Sequence, residues 1–203
     1  WRVNDINGYK QVSHTGGLSG VVTQVTMIPE LKLGIIVLTN QQASGAFVAI
    51  TNTIKDSYIG VYGRDRLKET LEATVSNLSE AHKIVSKVWA KVANSSKFAP
   101  GEVMLRSYAG KYKDSWFGNI NVTLENGALR FSSEMSPLLK GTLYYYIDDT
   151  FVVKWDERSF DADAFIKFSK DFEGNPNGFV MKAISPETDF SYDFQDLDFV
   201  RVN

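Results

Sequence analysis

In the first forty residues, apolar positions fall into short runs parted by turn-formers, which is the spacing of strands. Trp1 to Asp5 and Tyr9 to His14 flank Asn7-Gly8, two residues that tolerate positive φ and suit a tight hairpin. Val21 to Ile28 is rich in β-branched residues, Pro29-Glu30 supplies a turn, and Leu33 to Thr39 follows. The pattern predicts an antiparallel sheet of about four strands. Its last member, Leu33-Gly-Ile-Ile-Val-Leu, does not alternate. A continuous apolar run predicts a central strand with both faces covered.

After Asn40 the period changes. Ala43, Phe47, Ile50, Ile54 and Tyr58 recur at three or four, which predicts a helix to about Ile59 lying on one sheet face. Gly60 and Gly63 break it, and a long helix follows from about Arg64 to Ala93. Along it Leu71, Val75, Leu78, His82, Val85, Trp89 and Val92 alternate by fours and threes, the spacing of a heptad seam. Such a helix is roughly 45 Å long. A connector across two domains and a dimerising coiled coil both fit that seam. Asn94-Ser-Ser and Pro100-Gly101 read as a linker.

From Arg106 the chain alternates and turns repeatedly. Ser107 to Lys113, Asn119 to Leu124, Ala128 to Ser132, Gly141 to Ile147, Phe151 to Trp155, Ala164 to Ser169, Phe179 to Ile184 and Phe199 to Val202 are strand candidates. Asn126-Gly127, Asp148-Asp149 and Gly174 to Gly178 are turns between them. Eight short antiparallel strands predict a closed barrel or a sandwich, and closure removes exposed edges. A small barrel can enclose one ligand or be filled by its own side chains; a core packed with Phe131, Tyr146, Trp155, Phe165 and Phe179 would leave no room.

Totals narrow the choices. At 203 residues, 43% hydrophobic and 23% charged, the composition is that of a folded globular protein. A net charge of −2, with no basic cluster interleaved with aromatics, argues against nucleic acid as a partner. The absence of cysteine excludes disulfides, thiol catalysis and cysteine-ligated metal. Two histidines far apart give no zinc-site spacing, and the aspartates at 161, 163, 189, 193, 196 and 198 do not follow a calcium-loop register. No cofactor is implied. No apolar run approaches membrane-spanning length, and the start at Trp1 reads as the middle of a protein.

The chemically suggestive stretch is Ser13-His-Thr-Gly-Gly-Leu-Ser-Gly20, where glycines on a strand let a ligand or backbone approach. A lone histidine at a strand start is most often structural. Yet His14-Thr15-Gly16, then Gly17-Leu-Ser-Gly20, Met27-Ile28-Pro29-Glu30-Leu31 and Gly34-Ile-Ile-Val-Leu-Thr-Asn40 together resemble the end of the catalytic domain in β-lactamase-like serine hydrolases. That superfamily includes penicillin-binding proteins, class C β-lactamases, esterases and D-aminopeptidases. Its third motif is Lys-Thr-Gly or His-x-Gly on a strand bordering the active site. The resemblance implies that His14 serves as a proton-relay or substrate-orienting group and that the Gly17 N–H forms half of an oxyanion hole. It places Thr15 and Gly16 against the substrate. Further on, Tyr108-Ala-Gly-Lys-Tyr112, Asn121 to Gly127, Asp149-Thr-Phe151, Phe165-Ile-Lys-Phe168 and Gly178 to Lys182 resemble the lipocalin-like domain of unknown function appended to many such hydrolases.

Acyl transfer on this scaffold also needs a serine nucleophile with a base, and the family supplies Ser-x-x-Lys and Tyr-x-Asn. Neither is present; Ser136-Pro-Leu-Leu-Lys is one residue too long. The expected fold is α+β: residues 1–62 the C-terminal part of a β-lactamase-like catalytic domain, 63–104 a connector helix and linker, 105–203 a lipocalin-like antiparallel barrel. The expected function is that of a piece of a serine hydrolase, inactive alone, its partner being the missing N-terminal catalytic portion. A non-catalytic lipocalin-like binding or interaction module is the alternative. Bare apolar faces in residues 1–60 predict either association there, as in a homodimer, or disorder, and the connector helix offers a second dimer surface. The resemblance implies a bacterial periplasmic or secreted protein.

Overall fold

The computed structural model describes residues 1–18 and 20–202, in two compact units, Trp1–Ser79 and Glu80–Asn203. In the first, β1 (Arg2–Ile6), β2 (Tyr9–Leu18), β3 (Val21–Ile28) and β4 (Leu33–Leu38) form an antiparallel sheet in that order. Asn7 and Gly8 take positive φ in the first hairpin, as their turn requires, and Asp5 accepts the Gly8 N–H at 3.2 Å. A 3₁₀ turn at Pro29–Leu31 makes the third connection.

Helix α1 (Gly45–Ile59) ends at Gly60 in the left-handed conformation, as a helix stop should. It lays Phe47 on Val22, Ile35 and Val37. Only one face of β4 is therefore covered. Contrary to the expectation of a central strand, β4 is the last strand of the sheet, and Ile36 and Leu38 on its other face are 69% and 72% exposed. Helix α2 (Arg66–Ser95) begins in this unit with the Arg66 guanidinium donating to both Asp56 carboxylate oxygens, at 2.5 and 2.9 Å. Gly45 lets Thr74 come close: a Cβ there would stand 2.9 Å from its Oγ1.

The second unit takes over α2 near Ala81. Ala81, Val88 and Val92 are buried and Val85 and Trp89 half-buried, a true four-three seam, but its partner is an outer apolar surface of Val152, Ile184, Tyr146 and Phe165. His82, expected on the seam, is exposed beside it, and Leu71 and Val75 upstream are exposed too. Beyond a 3₁₀ turn comes α3 (Glu102–Tyr108), a short helix where a linker and strand start were expected.

Eight strands follow: β5 (Gly110–Asp114), β6 (Gly118–Glu125), β7 (Ala128–Ser133), β8 (Lys140–Ile147), β9 (Thr150–Trp155), β10 (Ala164–Lys170), β11 (Pro176–Ala183) and β12 (Asp198–Val202). Each pairs antiparallel with the next, and β12 pairs back on β5 to close the barrel. Rings fill its interior. Phe179 lies 4.5 Å from Phe199, 5.1 Å from Tyr112 and 5.3 Å from Phe168, while Phe131 meets Trp155 at 5.2 Å. Tyr146 and Phe165 are not among them. Ala164, Ile166 and Phe168 alternate inward and leave Phe165 outside, where it meets Tyr146, turned outward by the same alternation against Leu143 and Tyr145 in β8, at 5.1 Å. Gly141 and Gly178 permit tight strand contact, since a Cβ would approach the Lys154 and Phe199 carbonyl oxygens to 2.3 and 2.5 Å.

The end next to α3 is tied by polar groups. Arg201 donates to the carbonyls of Ser107, Ala109 and Pro176 at 2.8, 2.6 and 3.0 Å. Tyr108 donates its hydroxyl to Asp149 at 2.5 Å, Lys170 pairs with the same carboxylate, and the Tyr112 hydroxyl donates to the Tyr108 carbonyl. Burial pushes the Tyr112 phenol up to about 12.

Candidate functional site

The site proposed from sequence lies where β2 outruns β1. β1 pairs with β2 only as far as Arg2 opposite Ser13, whereas β3 pairs with it to Leu18 opposite Val21. Residues 14–18 thus have β3 as their one strand neighbour among the described residues. Strand alternation sorts the side chains. His14 and Gly16 stand on the face of Val25, Ile36 and Leu38; Thr15 and Gly17 stand on the opposite face, in register with Gln24 and Val22. The four expected residues therefore share one strand segment but not one sheet face. Both sets are reachable together only along the margin that β1 leaves open.

His14 is exposed, with its ring edge-on to Trp1 at 5.6 Å. Gly16 has a packing reason to be glycine, because a Cβ would come within 2.7 Å of Thr23 Oγ1. Gly17 has none, since nothing lies within 4 Å of where its Cβ would be. Ser13 is buried and, being adjacent in the strand, faces away from His14. The segment can orient a ligand and exchange a proton at His14, but it brings no nucleophile to that histidine.

On the α1 side of β2, Lys55 donates to Gln11 Oε1 at 2.9 Å, and burial lowers its pKa while Asp56 opposes the shift. The sequence reading passed over this lysine, whose signal is that it is the single cation of α1. Gln24, Thr26 and Thr51 each keep a buried side-chain oxygen without a hydrogen-bond partner among the described residues. No group of three metal-ligating residues, and no helix long and apolar enough to cross a membrane, occurs among the described residues.

A four-stranded antiparallel sheet with one apolar face uncovered, a histidine-glycine strand with an open margin, and a closed eight-stranded barrel later in the chain define the C-terminal part of a β-lactamase-like protein. The domain of unknown function DUF3471, the C-terminal domain found in β-lactamase-like proteins, matches residues 96–201, and the chain belongs to that family. It is 24% identical over 137 residues to the unguisins hydrolase ungD of Aspergillus violaceofuscus (strain CBS 115571), a match covering 62% of this chain and 23% of that protein. Among solved structures it is similar to a crystal structure of SurE, at 14% identity and a TM-score of 0.38 over 99% of this chain and 36% of that one. The octameric penicillin-binding protein homologue from Pyrococcus abyssi gives 15% identity and a TM-score of 0.31 over 96% and 34%. The chain thus spans little more than a third of the solved structures it matches, and a still smaller share of the curated relative.

Proposed function

We propose that residues 1–62 are the closing strands and helix of a serine-hydrolase domain that cleaves an ester, amide or β-lactam bond through an acyl-enzyme. The nucleophile and its lysine come from another portion of the polypeptide. His14 would orient the substrate or relay a proton across the cleft, the Gly17 N–H would donate to the oxyanion, and Thr15 and Gly16 would contact the acyl group. The observation that carries this reading is the unpaired β2 margin at residues 14–18, beside a sheet face whose Ile36 and Leu38 are bare. A sheet with exposed apolar residues and an unpaired margin has the surface another domain portion would cover. The name of the curated relative, a hydrolase, supports the reaction class.

The test is reconstitution. Residues 1–203 are mixed with a separately produced N-terminal portion carrying Ser-x-x-Lys, and an activated ester and a labelled penicillin are supplied. The expected result is an acylation burst that needs both pieces and falls at least tenfold with His14→Ala. A burst from neither compound, or one indifferent to His14, would refute the assignment. Until the N-terminal portion is added, the same bare face should drive self-association of this chain at micromolar concentration, and Ile36→Lys with Leu38→Lys should return the sedimenting species to monomer.

A further inference from the structure

The end of the barrel away from α3 is built differently from the tied end. In an up-and-down barrel the loops β5–β6, β7–β8, β9–β10 and β11–β12 all emerge on one side. Asp114 pins the first of them: one carboxylate oxygen accepts the N–H groups of Trp116 and Phe117, both at 2.7 Å, and the other accepts that of Asp198 at 3.0 Å. Ser133 Oγ holds the second loop through the Ser136 N–H at 3.1 Å. The floor is aromatic. Trp155 stacks on Phe194 at 6.2 Å, Tyr192 lies 5.3 Å from Phe194, and Phe160 meets Tyr192 edge-on at 6.0 Å.

Above that floor is a cleft of about 300 Å³ walled mainly by Phe117, Pro137, Leu138, Leu139, Phe160 and Tyr192. Its apolar surface runs on over the loop tips, where Trp116, Leu138 and Phe190 are 63%, 66% and 82% exposed. Among the residues of these four loops, nine are acidic and one, Arg158, is basic. Ion pairs join Glu134 to Lys111, Asp156 to Arg130 and Asp163 to Arg158. The acidic excess of these loops reaches the cleft wall: burial, and then the carboxylates of Asp189 and Asp161, push the Tyr192 phenol up. These acids do not converge in a metal-holding group among the described residues.

We propose that this barrel mouth docks a polypeptide segment presenting a large apolar side chain between basic residues. The volume suits one or two such side chains. An apolar surface that spreads over exposed loop tips and carries a polar rim is the mark of a macromolecular contact, more than of a pocket that encloses a metabolite. The rim's charge selects basic flanks and steers their approach. It also repels an anionic lipid surface. This inference stands apart from the hydrolase reading, since none of its residues lies in β2.

Calorimetric titration of the full chain with Ac-Lys-Arg-Phe-Leu-Lys-Arg-NH₂ and with Ac-Glu-Asp-Phe-Leu-Glu-Asp-NH₂ decides it. The basic peptide should bind with a dissociation constant below about 1 mM, at least tenfold tighter than the acidic one, and should weaken between about 20 and about 150 mM salt. Leu138→Lys, at an exposed position, should weaken binding at least tenfold with an unchanged circular dichroism melt, and Asp161→Asn should reduce the salt dependence. Amide shifts should concentrate at Phe117, Leu138 and Phe160. Equal affinity for the two peptides, no binding of the basic one, indifference to Leu138→Lys, or preferential binding to phosphatidylglycerol vesicles would overturn the proposal.

Discussion

Replacing Gly141 with alanine sets two opposed effects against each other, and the structure decides which wins. On propensity alone alanine should help, since glycine inside a strand costs about 0.5–1 kcal/mol relative to alanine. At this position the added carbon would stand 2.3 Å from the Lys154 carbonyl oxygen, 2.9 Å from its carbon and 3.0 Å from Trp155 Cα, where ordinary contact begins near 3.4 Å. The obstacle is the backbone of β9, paired with β8 here, so no side chain can swing aside. The two strands must separate by about 1 Å. Overpacking of this kind costs about 1–3 kcal/mol and each weakened ladder bond about 1 more. The net loss should be about 2 kcal/mol. With a denaturant slope of about 1.5 kcal/mol/M for a unit of this size, the urea midpoint of the barrel should fall by about 1.3 M, followed by near-ultraviolet dichroism of the buried Trp155. Gly34→Ala is the control: no atom lies within 4 Å of its added carbon, so the first unit should be unchanged or slightly stabilised. A Gly141→Ala midpoint within about 0.3 M of the parent, or above it, would show that the strands are not held this closely.

Other consequences are open to measurement. Arg66→Met leaves the largely buried Asp56 carboxylate without its bidentate partner and should cost about 3 kcal/mol in a urea melt of the first unit. The Arg66 hydrogen bonds hold Asp56 below the usual carboxylate range, so its contribution is complete above about pH 4 and should fade as pH falls through the depressed folded value; Arg66→Met should flatten that acid limb. Tyr112 is shifted the other way, up to about 12, so the stability it contributes is whole below about pH 10 and should decline from there towards pH 12, an alkaline limb that Tyr112→Phe should diminish. Phe179→Ala empties the centre of the ring cluster and should cost about 3–5 kcal/mol, read as a drop in barrel midpoint with an unchanged slope.

What could be read from residues alone was set by how local each signal is. The barrel strands announced themselves through Asn126-Gly127 and Asp148-Asp149, turns whose Asn126, Gly127 and Asp148 adopt the positive φ that their sequence suggests. Helix α3 was missed because Glu102–Tyr108 spans two turns, too short for a period to show, and follows Pro100-Gly101. Size alone favours an inside place for Tyr146 and Phe165, but strand alternation turns both outward, and α2 gives them an apolar partner there. The same limit applied to the apolar run in β4, where Ile35 and Val37 meet α1 and Ile36 and Leu38 meet nothing in this unit's helices. At the candidate site the motif fixed which strand to inspect. The length difference between β1 and β2, which opens the margin beside His14, is a pairing fact that no single segment encodes.

Barrel closure through β12 on β5 carries a consequence for biogenesis. The first staves of the cask are synthesised long before the last, and at ordinary translation speeds on the order of ten seconds separates them. Through most of that interval Tyr112 and Phe131, and at its end Phe179 as well, have no finished interior to enter, so a ribosome paused shortly before Asp198 would hold a sticky nascent chain that no local rearrangement can mend.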